Sequence, residues 1–397
     1  GVTTKNRTVL AGDAGFGYNL VTKVVTPSAA GAIAGAKTAL RRDPATLLLT
    51  ARSRAETLRS LGDETVDGKR NRVITFADSD GTQIGLYFDA ETGLLTKFDT
   101  LADNAVLGDA VTENVLSDYR DVAVGTARVR LPARVVTRVN GDVTQDLKFS
   151  VIEANAGLRD DAFAAPADAQ TIPAAPTGAV TVTKLGESAY LVGGGSHHSL
   201  VAVFPDHVVV VEAPLNEERS LAVMAKIAET TPGKPIKYVV PTHYHFDHSG
   251  GLRTYIAKGV TVVTTPGNKA FVERMAAAPH TIRPDSLSRE PRVPVIETFT
   301  GKRIFGSGGG TLEVIDIGPN PHVTEAVVAY LPAEKAVFVA DLFTIPVQGP
   351  FPPASPALSH FGEKVKAMAV EKIVPAHGRI GTVEDLKAAL AVPVPKD

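Results

Sequence analysis

The chain has no cysteine and no tryptophan among its 397 residues. The first absence excludes disulfides, thiolate metal sites and cysteine nucleophiles. The second leaves any stacking on a substrate to Phe, Tyr or His. Long hydrophobic runs are missing too: stretches such as Val208 to Val211 are far too short to span a bilayer. No sign of charge dominates. With 41 Lys+Arg against 43 Asp+Glu the net charge is −2, and no basic run or stripe breaks the balance. That argues against a nucleic-acid binder relying on phosphate neutralisation. What remains, 44% hydrophobic and 21% charged residues, is ordinary for a globular protein, and the length leaves room for two or three domains. The lack of Cys does not fix a compartment. The first residue, Gly1, fits a trimmed chain and a processed precursor equally; a periplasmic or secreted location is slightly favoured over a cytoplasmic one.

Residues 1–35 are rich in Gly, Ala, Thr and Val without a sustained period, and little can be placed there. Asp43 to Leu61 reads as a helix, with Leu47, Leu48, Ala51, Ala55 and Leu58 at three- and four-residue steps and Pro44 suited to a first turn. The pattern then changes to a period of two. Turn signals at Asp67-Gly68, Asp80-Gly81, Asp89 to Gly93 and Asn140-Gly141 separate strand-like runs as far as Glu153. Asp78, Asp80 and Asp89 read as turn residues. Residues 1–165 are therefore expected to form an α+β domain with a curved antiparallel sheet. Within it, Gly81 to Lys97, with Leu-Tyr-Phe-Asp-Ala-Glu-Thr-Gly-Leu-Leu at its centre, resembles the sheet of periplasmic lipoprotein-carrier domains, in which a curved sheet holds acyl chains. A structural or dimerising role is the alternative. Residues 166–178, rich in Pro and Ala, read as a linker. From 179 to 397 strands and helices alternate, which indicates an α/β sandwich.

Chemistry concentrates in Thr242-His-Tyr-His-Phe-Asp-His-Ser-Gly-Gly251. Three imidazoles and a carboxylate fall between His243 and His248, in a chain with ten His. Such groups are costly to bury without partners, and a divalent cation is a common partner for both. His243 and His245, two apart, can converge on one ion. Asp247 and His248 are adjacent, diverge, and would serve a second. Gly250-Gly251 is read as letting the chain turn sharply into the next helix. One motif cannot complete two coordination spheres. Three later residues have the right character at the ends of β-segments: His322, Asp341 and His377.

These motifs resemble the metallo-β-lactamase superfamily. His-x-His-x-Asp-His stands at His243 to His248, and the segments around His322, Val337 to Leu342 and Pro375 to Gly378 resemble the family's later motifs. The resemblance covers roughly residues 179 to 392 and implies a four-layer αβ/βα sandwich with metals at one edge. Carried over by position, it implies that His243, His245 and His322 bind one metal. Asp247, His248 and His377 bind the other, and Asp341 bridges them. Retention of His245, a carboxylate at 341 and no visible flavin segment favour a hydrolytic centre with two Zn2+, other divalent metals being open. The implied reaction is attack by a metal-bridging hydroxide on an ester, thioester, lactone or amide carbonyl, a β-lactam included, with Asp247 orienting the nucleophile as well as binding metal.

Lesser candidates surround this set. His197 and His198, after the Gly193 to Gly195 turn, and His280 in Ala278-Pro-His-Thr are candidate substrate contacts. Glu212 is expected to hold a ligand loop. Phe343 to Pro356 is a candidate pocket wall, and Phe271–Pro294 a second specificity loop. Ser196 and Ser199 lack a His-Asp partner pattern, which discounts a serine hydrolase. The competing reading is a lipid or acyl carrier with a non-catalytic metal site. A small-molecule substrate, no nucleic acid, no transmembrane segment and a possible homodimer complete the expectations.

Overall fold

The computed structural model describes residues 6–173, 180–307 and 310–394. Its strands group into four sheets. The first is small. Asn6–Ala11, Ala14–Asn19 and Val24–Pro27 pair antiparallel in turn, and Gln170–Thr171 adds in parallel beside Val24–Pro27. Part of the segment expected as a linker is thus tied into a sheet, and its Ile172 N–H also donates to the Val25 carbonyl at 2.9 Å. Residues 174–178 of that expectation lie outside the described residues.

The second sheet is a seven-stranded meander: Arg59–Val66, Lys69–Ala77, Gln83–Asp89, Leu95–Asn104, Gly108–Val124, Ala127–Val139 and Asp142–Lys148. Two of the anticipated turns, Asp67-Gly68 and Asn140-Gly141, have positive φ at both residues. This is the geometry that matches strand twist in a two-residue hairpin. Leu47 and Ala51 pack against Phe76, Ile84, Leu86 and Phe98 on one face. The helix expected over Asp43 to Leu61 is shorter. It runs Leu47–Ser53, continues as a 3-10 turn at Ala55–Thr57, and gives way to the edge strand Arg59–Val66. An additional helix, Ala30–Arg41, precedes it. Asp78 does more than turn the chain. Its buried carboxylate accepts from Arg41 Nε at 3.0 Å and Arg42 Nε at 3.1 Å, tying that helix to the meander. Burial would raise its pKa, but these arginines and the Ser79 N–H hold it below the usual range.

The remaining two sheets lie face to face. In one, Thr181–Lys184, Ala189–Gly193, Ser199–Val203 and Val208–Val211 pair antiparallel, and Ile236–Val240, Thr261–Thr264 and Ile296–Thr298 follow in parallel. In the other, Lys302–Ser307, Gly310–Asp316, Val327–Leu331 and Ala336–Val339 are antiparallel, Lys372–Pro375 is parallel to its neighbour, and Gly381–Thr382 closes the edge. Their inner faces share one core, with Leu191, Leu200, Val209 and Val240 packed among Leu312, Ala329, Phe338 and Val374. Helices Glu217–Thr230, Leu252–Ala257 and Pro266–Ala277 cover the outer face of the first sheet. Pro356–Val365 and Val383–Leu390 cover the second. The layers are helix, sheet, sheet, helix, as the four-layer expectation requires.

Among the described residues, the N-terminal sheets touch this sandwich at two places. At the tip of the meander, Asp109 accepts from the Thr281 N–H at 2.9 Å, the Thr281 hydroxyl at 2.6 Å and the Ile282 N–H at 3.1 Å. Its own N–H donates to the Pro279 carbonyl at 2.6 Å. Gly108, with φ +73°, lies so close that a Cβ there would sit 2.1 Å from that carbonyl. The small sheet meets the Pro-rich stretch after Asp341, where Val24 faces Gly349. Residues of both line a groove of about 420 Å³, among them Arg7, Tyr18, Val24, Pro346 and Pro350.

Candidate metal centre

Strand direction brings the candidate residues to one edge. Ala189–Gly193, Val208–Val211 and Ile236–Val240 point the same way in their sheet, as do Gly310–Asp316, Ala336–Val339 and Lys372–Pro375 in theirs. The segments leaving their carboxyl ends carry, in chain order, His197, Glu212, the 243–248 motif, His322, Asp341 and His377. This is the usual place for a site in an α/β sheet.

Two groups of donors result. His243, His245, His322 and Asp341 form one; His197, Asp247, His248 and His377 form the other. Within each, the candidate ligand atoms lie within 4.8 Å of one another. Asp341 stands between them. Its Oδ2 is 3.0 Å from His322 Nε2 and 3.7 Å from His243 Nε2, and its Oδ1 is 2.9 Å from Nε2 of both His248 and His377.

Three of the rings are aimed by what holds their other nitrogen. His243 Nδ1 is 3.0 Å from the Thr242 hydroxyl, and His377 Nδ1 donates to the Ser196 carbonyl at 2.8 Å. His248 Nδ1 donates to the Glu212 carboxylate, which also accepts from the Thr242 N–H at 2.7 Å. Glu212 is fully buried and sits at φ +81°, a conformation that strains a side-chain-bearing residue. One buried carboxylate thereby fixes both the entry to the motif and its last imidazole. Asn320 accepts from the N–H groups of His322 and Val323, shaping the loop that presents His322.

The donor set fits a metal. His243 and His322 bring their Nε2 atoms to 3.3 Å, and so do His248 and His377. Where Nδ1 of both imidazoles carries the proton, as it does on metal-binding rings, two Nε2 lone pairs face each other there, a contact that a shared proton or a metal cation between them relieves. A tetrahedral ion with bonds of 2.0–2.1 Å sets its ligand nitrogens about 3.3–3.4 Å apart. Electrostatics divides the rings. Burial pushes His243 down to about 2, with neighbouring imidazoles adding to the effect, so it is neutral, as ligation requires. His197 is pushed down to about 4, again chiefly by burial. Burial acts the same way on His248, but Glu212 and Asp341 outweigh it and push that ring up to about 10. A cation at that position must displace its proton. Burial would raise Asp341, yet His248 and His377 hold its carboxyl far below the usual range.

The two glycines of the motif serve a different end from the sharp turn expected of them. Gly250 has φ −61° and Gly251 φ −95°, both open to any residue. Contact is what demands glycine: a Cβ on Gly250 would lie 2.1 Å from the Leu215 carbonyl, and one on Gly251 2.0 Å from Ser220 Oγ. The motif is pressed against the 213–220 segment that follows Glu212.

Of the three candidate substrate contacts, the structure brings His197 into the second group of donors. His198 joins neither group. Its N–H donates to the Ala376 carbonyl at 2.9 Å and its Nδ1 lies 3.1 Å from the Pro375 carbonyl, lacing this loop to the strand that bears His377. His280 is buried elsewhere, its Nδ1 2.6 Å from Asp103 of the meander. It lines a separate cleft of about 290 Å³ with Arg253, Arg283 and Asp285. Tyr244 and Phe246, the intervening positions of the motif, are 37% and 61% exposed. They place aromatic surface beside the donors. Their signal in the sequence is their place between ligand positions, where a buried strand has already ended.

The model of the Metallo-beta-lactamase superfamily matches residues 192–377. Among solved structures, similarity extends to a metallo-beta-lactamase from Pontibacter korlensis at 24% identity, covering 54% of this chain and 98% of that one with a TM-score of 0.41. A metallo-beta-lactamase from Hirschia baltica is similar at 21% identity, over 55% and 99% of the two chains, with a TM-score of 0.41. The FIM-1 metallo-beta-lactamase from Pseudomonas aeruginosa, in its mono-zinc form, is similar at 19% identity, over 54% and 94%, with a TM-score of 0.40.

Proposed function

Since the C-terminal part of this chain belongs to the metallo-β-lactamase superfamily, we propose that the protein is a zinc-dependent hydrolase acting on an ester, thioester, lactone or amide carbonyl, a β-lactam among them. One observation carries the reading: two four-donor groups meet at Asp341, whose two oxygens face opposite groups. His243, His245 and His322 would hold one ion, Asp247, His248 and His377 the other, with Asp341 between. Divalent ions there supply Lewis acidity and bring the pKa of water towards neutrality.

The chain's own residues do the rest. Glu212, accepting from His248 Nδ1–H, keeps that ring in the tautomer that turns Nε2 inward, and the Thr242 hydroxyl holds Nδ1 of His243. Asp247, with Oδ2 3.5 Å from His248 Nε2, is placed to orient a nucleophile and to take its proton. Tyr244 and Phe246 offer an apolar wall for the acyl or leaving portion of a substrate. The stretch from Phe343 buries Phe343 and Ile345 in the core of the second sheet, which leaves its exposed Val347 on a fixed base. The acyl-carrier alternative has less support: the apolar cleft on the meander, lined by Pro44, Leu131, Val135 and Phe149, is about 160 Å³, below the roughly 300–1,000 Å³ usual for a ligand pocket.

The test is metal analysis joined to a panel of nitrocefin, an acyl-homoserine lactone, a glutathione thioester and an aryl ester. Turnover of at least one is expected, abolished by chelation, restored by Zn2+, and lost in His243→Ala and Asp247→Ala. Undiminished activity in metal-free protein would sink the proposal.

A further inference from the structure

We infer that His197 is a fourth protein ligand of the second metal position, joining Asp247, His248 and His377; this rests on the two-metal reading above. The residue comes from the loop after Ala189–Gly193, outside the motif and outside the three later ligand segments. Gly194 and Gly195, with φ +110° and +67°, fold the chain back, and the side chain they precede is 9% exposed.

Three observations converge. His197 Nε2 lies 3.2 Å from Asp247 Oδ2, close to the spacing of two donors on one tetrahedral ion. It is also within 4.8 Å of ligand atoms of His248 and His377 at once, a convergence that a lone hydrogen bond to Asp247 does not need. Finally, its Nδ1 is anchored 2.7 Å from the Ser196 hydroxyl. That is the arrangement of His243 on Thr242, His248 on Glu212 and His377 on the Ser196 carbonyl. Ser196 thereby orients two rings, His197 through its hydroxyl and His377 through its backbone. With Nδ1 donating to Ser196, the Nε2 lone pair faces the Asp247 carboxylate, an arrangement that a cation between them makes favourable; without one, the Ser196 hydroxyl donates to Nδ1 and Nε2–H donates to Asp247.

The consequence is an asymmetric pair. With His197 the second position has four protein donors before Asp341 is counted, and the first has three. The second ion is then the one held more tightly.

The test uses full-length protein stripped of metal and titrated with Zn2+ against a chromophoric chelator, for wild type, His197→Ala and Ser196→Ala. Wild type should take two equivalents. His197→Ala should lose about 100-fold or more in affinity for one equivalent only, beyond the ~10–100-fold that loss of an outer hydrogen-bond partner brings. Ser196→Ala should lose roughly tenfold for the same equivalent. In the Co2+ form, His197→Ala should delete one paramagnetically shifted, solvent-exchangeable imidazole N–H resonance. An unchanged affinity for the other equivalent shows that the variant is folded. Two equivalents bound to His197→Ala with wild-type affinities and an unchanged set of resonances would overturn the inference and leave the two-metal reading standing. Fewer than two equivalents on wild type would overturn that reading first, and the inference with it.

Discussion

Glu212→Gln isolates what one buried carboxylate does for the metal centre. The wild-type side chain holds two donors, the Thr242 N–H and His248 Nδ1–H, and none of it is exposed. Glutamine has the same shape and keeps one acceptor. If that oxygen stays on Thr242, the amide NH2 faces His248 Nδ1. The ring must then accept there and carry its proton on Nε2, the atom required for metal. If the amide is turned the other way, His248 keeps its tautomer and the buried Thr242 N–H meets a donor, at a cost of about 1–3 kcal/mol. The first arrangement costs ligation at one position only. Loss of such a partner lowers metal affinity about 10–100-fold, which is about 1.4–2.7 kcal/mol, and tautomer inversion places the effect at the upper end. Chelator competition should show one Zn2+ equivalent weakened by that factor and the other retained. Both equivalents held at wild-type affinity would refute the assigned role of Glu212.

Three further outcomes follow from packing and charge. Gly250→Ala forces a Cβ against the Leu215 carbonyl and should destabilise by about 1–3 kcal/mol, read as a lowered unfolding midpoint with weakened metal retention. Asp285→Ala removes the carboxylate that accepts from Arg253 Nη2 at 3.1 Å and from the Ser288 N–H at 2.8 Å. Breaking this largely buried pair should cost about 3–5 kcal/mol. Burial would raise Asp285, but Arg253 and Ser288 outweigh it and depress its pKa. Its stabilisation is therefore present above the unfolded-state value of about 3.9 and lost as pH falls below it. Denaturant melts between pH 7 and pH 3 should show a steeper acid loss in wild type than in Asp285→Ala. Asp109→Ala cuts three hydrogen bonds to Thr281 and Ile282 and should raise amide exchange across 279–290 while leaving Zn2+ stoichiometry unchanged.

The two clusters of candidate metal donors are legible in the sequence because imidazoles and carboxylates crowded at strand ends are costly to bury without a cation among them. The strands behind them are legible for a related reason: Val208–Val211 and Ala336–Val339 are buried at every position and read as unbroken apolar runs. The N-terminal part is harder to read where burial leaves no pattern. Arg59–Val66 is exposed at seven of its eight positions, so no alternation marks it as a strand. Ala30–Arg41 buries none of its residues and so shows no apolar stripe. Gly250 and Gly251 stand out in the sequence for backbone freedom, whereas the contact that requires them comes from a segment some 35 residues earlier, beyond the reach of any local rule. His197 stands out as a histidine near the site, but only strand direction shows which face of the edge it joins.

The meander's grip on Pro279, Thr281 and Ile282, and the small sheet's contact at Gly349, have a consequence for how this chain can change. The candidate metal donors belong to one part of the sequence, whereas two loops of the sandwich that carries them are braced from another. Removing residues 6–173 would keep every candidate donor and unmoor both loops. A library that randomises 279–294 or 343–356 while leaving Asp103, Asp109 and Val24 untouched therefore samples loops still bolted to their old frame.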